Sequence, residues 1–523
     1  MSVAPKEPIK FRHLPEAPVA RDGRGPRNER DGARPPIGRR GSGIEVTAAP
    51  ALPVGRVGRS VRLAGLAGRT LANRAQTALR SRAGGDGAEA AERASQARLA
   101  ERYAEVLGDM KGAIMKVGQI LSFVDAPGLL PVPGGELFQS TLARLQDDVP
   151  PLGPDEIAGV IEAELGTPPG HIFAFFSPEP IAAASIGQVH LARLADGTEL
   201  AIKVQYPGVA DPIRADLANT DLLASVIKTG LRVLGPNAPR LDPKIVVEEV
   251  RERVGEELDY RIEAANQQEF HALYEEHPFI HIPAVHPELS TGRVLAMEYI
   301  DAKRWSEATA SRDDVRSRWG ETIFRFVFAS LHRNGLFNAD PQPGNYLFHE
   351  DGSVTFLDFG CVKRFTAERV AVMSALVDAA LANNAAGVLR SFVDVGLLTD
   401  GDAEGLDPGR LLEFYRTALQ DRWGEQPFTY TPASAAEIVA SMYQPIGPWY
   451  DVTRRIRMPK DLLFLNRITV GASSILGHLY ASADWKSIDD EIRHGGPTTT
   501  ELGRLEADWR ARRGVTRSLR RSA

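Results

Sequence analysis

The chain has 523 residues, of which 43% are hydrophobic and 25% charged, a composition typical of a soluble globular protein with two to four domain-sized units. A single cysteine, Cys361, excludes an internal disulfide and a cysteine-rich zinc site. The sequence has no run of about 18 apolar residues and no apolar signal core at its start, so we expect neither a transmembrane helix nor a cleaved leader.

The charge is unevenly distributed along the chain. Residues 1–82 hold 17 Lys/Arg and 6 Asp/Glu, giving +11, and residues 496–523 hold 7 and 3, giving +4. The net charge of −6 therefore leaves about −21 for the residues between them. Basic ends on an acidic body predict either an anionic surface as partner or solvated, disordered tails. No aromatic interleaving or recognised motif supports nucleic acid as the partner.

Two segments of different character make up the basic N-terminal region. Residues 1–54 are rich in Pro, Gly and Arg without periodicity, which predicts a disordered basic tail. Residues 55–89 form a basic amphipathic segment, in which arginines alternate with Val and Leu up to residue 82. That pattern suits a helix that contacts a membrane surface, or one that packs on the body with snorkelling arginines.

Residues 90–168 are predicted to be a helical extension. Apolar residues recur there at steps of three and four, and Lys116 and Gln119 share the face beside this stripe. Further helices are predicted at 136–146 and 154–165, separated by a domain boundary at Pro150-Pro151. The apolar stripe consists of Leu99, Tyr103, Val106, Met110, Ile114, Val117 and Leu121.

Residues 169–301 change to strand periodicity. Asp196-Gly197 indicates a hairpin, and Ala201-Ile202-Lys203 matches the strand that carries the nucleotide lysine in kinases. The last strand of the region ends where a hinge to a second lobe is expected. Strands are predicted at 172–176, 188–194, 199–205 and 293–300, and helices at 209–232 and 243–274.

Residues 302–490 contain the motif that carries the chemistry. An Asp, Asp340, lies five residues before Asn345, and Asp358-Phe359-Gly360 follows after a short hairpin. In kinases the first Asp orients the acceptor hydroxyl, and the Asn and the second Asp hold Mg²⁺, a hard cation that prefers oxygen ligands. Helices are predicted at 312–334, 366–390, 408–423, 433–443 and 459–481, and another at 498–513 within a basic C-terminal tail over 491–523.

Seven ordered motifs resemble the UbiB/AarF (ADCK-type) family of atypical kinases over residues 95–365, and more loosely to about 480. They are Lys116-Val-Gly-Gln119-Ile-Leu-Ser, Leu145-Gln-Asp-Asp-Val-Pro-Pro151, Ala182-Ala-Ala-Ser-Ile-Gly-Gln-Val-His190, Ala201-Ile-Lys-Val-Gln-Tyr-Pro-Gly208, Glu257-Leu-Asp259-Tyr-Arg-Ile-Glu-Ala-Ala265, Asp340-Pro-Gln-Pro-Gly-Asn345 and Leu357-Asp-Phe-Gly360. The resemblance implies an α+β, bilobal protein-kinase-like fold. It would have a β-sheet N-lobe, a helical C-lobe and an N-terminal helical extension that carries the Lys-x-Gly-Gln motif.

The resemblance also assigns a role to each site residue. Lys203 would hold the nucleotide phosphates and pair with Glu257, while Asp259 would support the Lys-x-Gly-Gln helix. Asp340 would be the catalytic-loop Asp, and Asn345 and Asp358 the metal ligands. The remaining nucleotide contacts would be Lys116 and Gln119, the hinge residues Met297, Glu298 and Tyr299, and an alanine-rich loop of Ala182, Ala183, Ala184 and Ser185, which is stiffer than a glycine-rich one.

Two positions depart from the family pattern. The loop usually reads His-Ala-Asp-Pro-His-Pro-Gly-Asn, and Asn338 and Gln342 replace the two histidines here. Both replacements are polar, so we expect Mg²⁺ binding to survive, whereas any role for imidazole at these positions is put in doubt.

The family resemblance implies an ATP- and Mg²⁺-dependent atypical kinase or ATPase. Members are linked to isoprenoid-quinone biosynthesis or lipid homeostasis, so the expected partners are a nucleotide and an anionic membrane surface, lipid or quinone precursor. The expected location is cytoplasmic, with peripheral membrane attachment as the second interpretation. Two alternatives stay open: a Ser/Thr protein kinase, and a nucleotide-sensing membrane scaffold without turnover. The acceptor and the oligomeric state do not follow from the sequence.

Overall fold

The computed structural model describes residues 152–184, 186–217, 243–339, 341–443 and 448–514. Outside these ranges lie the predictions for residues 1–151, among them both basic N-terminal segments, Lys116, Gln119 and the helix at 136–146. Two further predicted site residues, Ser185 and Asp340, also lie outside the described residues. The described residues form a mixed structure of helices and small sheets.

An antiparallel five-stranded sheet forms the first half. Its strands are β1 (Phe175–Phe176), β2 (Ala182–Ala184), β3 (Gly187–Arg193), β4 (Glu199–Gln205) and β6 (Val294–Glu298). The order is β1-β3-β4-β6, and β2 also pairs with β3. The turn between β3 and β4 is the predicted hairpin, with Gly197 in the left-handed region at φ +94°.

Strand β4 separates two apolar layers, because successive side chains point to opposite faces of a sheet. Leu200, Ile202 and Val204 are fully buried against helix α1 (Pro154–Leu165). Ala201 packs on the other face, in a cluster with Tyr260 and Ala264 of helix α5 (Tyr260–Leu273). By this alternation Lys203 lies on the α5 side.

The second half is mainly helical and is built around helix α7 (Asp313–Asn334). From Trp319 to Leu331 every residue of this helix is buried, and its apolar side chains there belong to the main apolar cluster of the described residues. The helix ends at Gly335, with φ +65°, where an added Cβ would lie 2.4 Å from the carbonyl oxygen of Phe365. Gly335 therefore permits the close approach of two segments that flank the catalytic loops.

Two smaller sheets bring those loops together. Strand β7 (Leu336–Asn338) pairs with β10 (Val362–Arg364), so that Asn338 lies opposite Val362. Strands β8 (Tyr346–Phe348) and β9 (Val354–Phe356) form a hairpin, and β5 (Ile280–His281) pairs in parallel with β9. The loop after β7 therefore begins beside Val362, where the loop after β9 ends.

The other helices and strands of the described residues lie around these elements in the sequence. The helices are α2 (Pro169–Ile172), α3 (Ala210–Leu217), α4 (Pro243–Glu257), α6 (Trp305–Thr309), α8 (Ala367–Leu381), α9 (Ala385–Asp394), α10 (Asp400–Ala403), α11 (Pro408–Thr417), α12 (Gln420–Trp423), α13 (Pro432–Tyr443), α14 (Tyr450–Thr453), α15 (Lys460–His478), α16 (Trp485–His494) and α17 (Glu501–Arg512). The strands β11 (Phe428–Thr429) and β12 (Ser482–Ala483) pair with each other. Within the described ranges, none of the helices is long and apolar enough to cross a bilayer.

Most helices predicted within the described residues are present, but local polar groups divide some of them. The helix predicted at 243–274 is interrupted before Asp259, whose side chain accepts a hydrogen bond from the Arg261 N–H and starts α5. The helix predicted at 366–390 is likewise split in two, and Asn384 caps the second part. Of the strand predicted at 172–176, Ile172 ends the short helix α2 and only Phe175–Phe176 form a strand.

Candidate active site

Lys203 lies at the centre of a buried charge cluster. Its Nζ donates to both carboxylate oxygens of Glu263, each at 2.8 Å, and lies 3.6 Å from Oδ2 of Asp358. The Lys203 side chain is 13% exposed and its Nζ lies 5.0 Å from the centre of the Tyr260 ring. The structure thus brings together the predicted nucleotide lysine and the predicted metal-binding carboxylate.

Lys203 pairs with Glu263, and not with Glu257 as the resemblance implied. Glu257 is the last residue of α4, whereas Glu263 lies in the first turn of α5. The cap at Asp259 restarts the helix between them, and this new helix turns Glu263 towards β4. Glu257 stays close enough to act electrostatically on Glu263 and Tyr260.

The cluster shifts the pKa of both paired groups. Burial raises the pKa of Glu263, and although the Lys203 charge opposes that effect, the pKa reaches about 7. Burial alone would lower the pKa of Lys203, but the charges of Glu263 and Asp358 outweigh it and raise the pKa well above its ordinary value. Lys203 is therefore a permanent cation, whereas the charge of Glu263 depends on pH near neutrality.

This arrangement makes Glu263 and Glu257 experimentally distinguishable. For the ATP-dependent activity that the sequence resemblance implies, we expect Glu263→Gln to lower kcat/KM for ATP by about 10- to 100-fold, because Lys203 loses the carboxylate that orients it. Since burial raises the pKa of Glu263 to about 7, wild-type turnover should increase as the pH rises through about 7, and Glu263→Gln should remove that dependence. Steady-state kinetics between pH 6 and 9 measure both effects. A larger loss in Glu257→Gln than in Glu263→Gln would contradict the pairing.

The Asp358-Phe359-Gly360 segment is fixed on several sides. Oδ1 of Asp358 accepts the Gly360 N–H at 2.9 Å, and the buried Phe359 ring packs 5.0 Å from the ring of Phe270 on α5. Asn266 of α5 donates to the Phe359 carbonyl at 2.9 Å. These contacts hold the Asp358 side chain, which is 30% exposed, at the edge of the cluster.

Asn338, one of the two departures from the family pattern, has a structural role. Its Nδ2 donates to the carbonyl oxygen of Asp358 at 2.8 Å, across the β7–β10 pair. An amide thus braces the loop where the family usually has an imidazole, and an amide keeps its N–H at any pH. For Gln342, the other departure, the structure shows only a backbone role: its carbonyl accepts the Asn345 N–H at 2.9 Å.

Asn345 contacts the backbone of Leu357, the residue before Asp358. It ends a short 3₁₀ turn, Pro343–Asn345, and its carbonyl accepts the Leu357 N–H at 3.0 Å. The preceding Pro341 packs on α15, where a Cβ added to Gly471 would lie 2.3 Å from the proline ring. Gly471 therefore allows α15 to support the loop at Pro341. Sequence reasoning missed this role, because nothing in the sequence connects Gly471 to the loop.

The donor set at Asn345 and Asp358 fits Mg²⁺. An amide oxygen and a carboxylate are hard ligands, and Mg²⁺ usually takes one or two protein oxygens, with phosphates and water in its other positions. Among the described residues, no group of three or more His, Cys, Asp and Glu could hold a metal ion. A site of this composition suits a metal that arrives with a nucleotide rather than one held by the protein alone.

The other predicted nucleotide contacts lie on the sheet. Ala182, Ala183 and Ala184 form β2 and pair with β3. At the hinge, Met297 is buried, and the N–H groups of Glu298 and Tyr299 donate within the protein, to the carbonyls of Ala284 and Glu199. A base bound at this segment would have to be held by groups other than these two N–H groups.

Two buried polar residues of β3, Gln188 and His190, were not among the predicted site residues, although both lie in the Ala182–His190 motif. The Gln188 amide binds the N–H and the carbonyl of Leu152, at 3.0 and 3.4 Å, and also contacts His190 at 2.9 Å. His190 contacts the Ser177 carbonyl, and burial lowers its pKa. The alternation of polar Gln188 and His190 on a strand was the available signal, since a buried face should be apolar.

Comparison with known proteins gives consistent matches. Residues 144–392 match the family model described as "ABC1 atypical kinase-like domain". The Arabidopsis thaliana chloroplastic protein ACTIVITY OF BC1 COMPLEX KINASE 1 is 35% identical over 315 residues, which are 59% of this chain and 44% of that protein. The mitochondrial atypical kinase COQ8B of Rattus norvegicus is 33% identical over 301 residues, 57% of this chain and 55% of the relative.

A solved structure covers more of the chain. The Mycobacterium tuberculosis protein Rv3197, solved as a complex with erythromycin, is 30% identical with a TM-score of 0.55. The match covers 76% of this chain and 97% of that one. By contrast, the chain spans only about half of the length of the two curated relatives described above.

Proposed function

Because the chain belongs to the UbiB/ADCK family of ABC1 atypical kinase-like proteins, we propose that it is a Mg²⁺- and ATP-dependent phosphotransferase or ATPase. The observation that carries this proposal is the contact of the Lys203 ammonium with both oxygens of Glu263, 3.6 Å from Asp358. A buried, permanently charged lysine beside a partly exposed carboxylate suits the binding of a polyphosphate with its metal.

Each residue of the cluster has a separate task in this proposal. Lys203 would bind the α- and β-phosphates, and Glu263 would keep its ammonium directed into the cleft. Asp358 and Asn345 would hold Mg²⁺, which when bound neutralises phosphate charge. Asp340, which follows β7 by two positions in the sequence, would orient the attacking hydroxyl or water. Catalysis of this kind depends mainly on positioning and electrostatics.

The biological setting is proposed from the family resemblance. We place the activity in support of isoprenoid-quinone biosynthesis or of lipid homeostasis at a membrane, with a lipid-like small molecule or water as acceptor. The basic segments 1–54 and 55–89 would supply the attraction to an anionic bilayer, since clustered arginines favour anionic lipid. The cell compartment is cytoplasmic in this proposal, with peripheral membrane attachment.

Turnover of γ-labelled ATP by the full-length protein tests the proposal. We expect phosphate release that requires Mg²⁺ and that rises on adding anionic phosphatidylserine vesicles or phenolic quinone-precursor analogues. A version lacking residues 1–82 should keep basal turnover and lose the vesicle effect. Tight ATP binding without release would instead indicate a nucleotide-sensing scaffold, and label on a panel of proteins would indicate a Ser/Thr protein kinase. Absence of ATP binding would overturn the proposal.

A further inference from the structure

The C-terminal helix α17 contacts both of the helices that lead to the active site. One is α5, which carries Glu263, and the other is α7, which runs into the catalytic loops through β7. We propose that α17 is a positioning element, and that Arg513 and Trp509 hold α5 where Glu263 meets Lys203. The effect on turnover rests on the proposed function, whereas the effect on α5 itself does not.

Arg513 binds the C-terminal end of α5. Its guanidinium donates to the carbonyls of Ala272 at 3.0 Å, Leu273 at 3.1 Å and Glu275 at 3.2 Å. Ala272 and Leu273 are the last residues of α5, and the last carbonyls of a helix have no partner within it. A cation there also interacts favourably with the helix dipole. Arg513 therefore satisfies and stabilises an end that α5 cannot satisfy alone.

Trp509 fixes the segment that follows α5. Its Nε1 donates to the Glu275 carbonyl at 3.0 Å, and its ring lies parallel to Tyr274, with 6.4 Å between centroids. The same ring meets His277 edge-on, at 4.4 Å between centroids. Trp509 is 7% exposed, so it forms a packed contact between α17 and the chain leaving α5, and not a surface contact.

One turn earlier, the same buried face of α17 is anchored to α7. Glu506, in the middle of α17, pairs with Arg325 at 2.9 Å and with Arg333. Thr500 caps the start of α17 by accepting the Gly503 N–H, and the same hydroxyl contacts Arg325 at 3.1 Å. Because α7 is the buried centre of the helical half, α17 has a rigid base from which to hold α5.

The consequence for the active site follows from the stiffness of a helix. Glu263 and the Arg513 contacts lie near opposite ends of α5, ten residues apart, or about 15 Å at 1.5 Å per residue. A tilt at the end of α5 next to Arg513 would move Glu263 relative to Lys203 on β4.

The test compares Arg513→Ala with Arg512→Ala, which removes the same charge from the exposed neighbouring position of α17. In Arg513→Ala we expect faster amide hydrogen exchange over residues 260–275 and turnover reduced by about three- to tenfold. Arg513→Lys should recover part of the loss, since it returns the charge but not the three-carbonyl geometry. Arg512→Ala should resemble wild type. Unchanged exchange over 260–275 in Arg513→Ala would overturn the inference, even if the wild type had no ATP turnover.

A double variant separates positioning from general destabilisation. If Arg513 acts through Glu263, adding Arg513→Ala to Glu263→Gln should reduce turnover little further, because coupled residues are not additive. Two independent losses that multiply would show that Arg513 acts elsewhere and would contradict the inference. Trp509→Phe, which keeps an aromatic ring but removes the Nε1 donor, should give a smaller change of the same kind in the exchange of residues 260–275.

Discussion

Replacing Asp358 with Asn is expected to lower Mg²⁺-dependent ATP turnover by about 10²- to 10³-fold, with little change in fold. The variant keeps the size of the side chain, and the amide oxygen can still accept the Gly360 N–H that Oδ1 accepts in wild type. What it loses is the negative charge that would bind the metal. The loss should therefore appear as a higher Mg²⁺ requirement and a lower kcat, measured by titrating Mg²⁺ at saturating ATP.

The same variant makes a second prediction about pH. The negative charge of Asp358 contributes to the raised pKa of Glu263, so its removal should lower that pKa. The rising limb of residual turnover near pH 7 should shift to lower pH. Asp351→Asn is the matched control, because Asp351 lies in the β8–β9 turn and binds Ser353. Unchanged Mg²⁺ dependence in Asp358→Asn would show that the metal assignment is wrong.

The sequence identified Lys203 and Asp358 because each lies in a short motif with a fixed role. Such motifs work because neighbouring residues determine the local backbone, a strand for Lys203 and a tight turn for Asp358. Partner identity is a different problem. Several glutamates lie between 248 and 263, and which of them faces β4 depends on where one helix stops and the next begins. That break is made by the Asp259 cap, a local signal that periodicity alone does not resolve.

The sequence also does not show which distant segments of the chain pack against each other. The helix predicted at 498–513 agrees well with α17, but it was assigned to a basic tail because of its arginines. In the structure the buried residues of this helix are Leu502, Gly503, Glu506 and Trp509. From the sequence alone, Glu506 is expected at the surface. In the fold it is buried and pairs with Arg325 and Arg333, which lie 173 or more residues away in the sequence. The amino-acid composition of a helix indicates how polar it is, but not which other elements cover its buried face.

Replacing Arg325 with Met is expected to have the largest effect on stability, about 3–5 kcal/mol, because it leaves buried carboxylates without their cation. The Arg325 side chain is fully buried and pairs with Glu321 at 2.7 Å and with Glu491 and Glu506 at 2.9 Å each. Burial would raise the pKa of Glu506, but the charges of Arg333 and Arg325 bring it down to about 2. The shift shows how strongly the ionised carboxylate depends on these guanidinium groups.

The pH dependence of the Arg325 variant distinguishes lost charge pairing from lost packing. A carboxyl with a folded-state pKa of about 2 contributes stability above its ordinary value of 4.5, and this contribution is lost as the pH falls towards 2. The stability deficit of Arg325→Met, measured by urea unfolding, should therefore shrink below about pH 4.5, because the wild type loses the contribution of its ionised, paired Glu506 there. Arg312→Met is the control, because the Arg312–Asp314 pair is exposed to solvent and its loss should change stability little at any pH. A deficit that stays constant between pH 7 and pH 3 would show that Arg325 acts by filling space, and that the anchoring of α17 does not depend on charge.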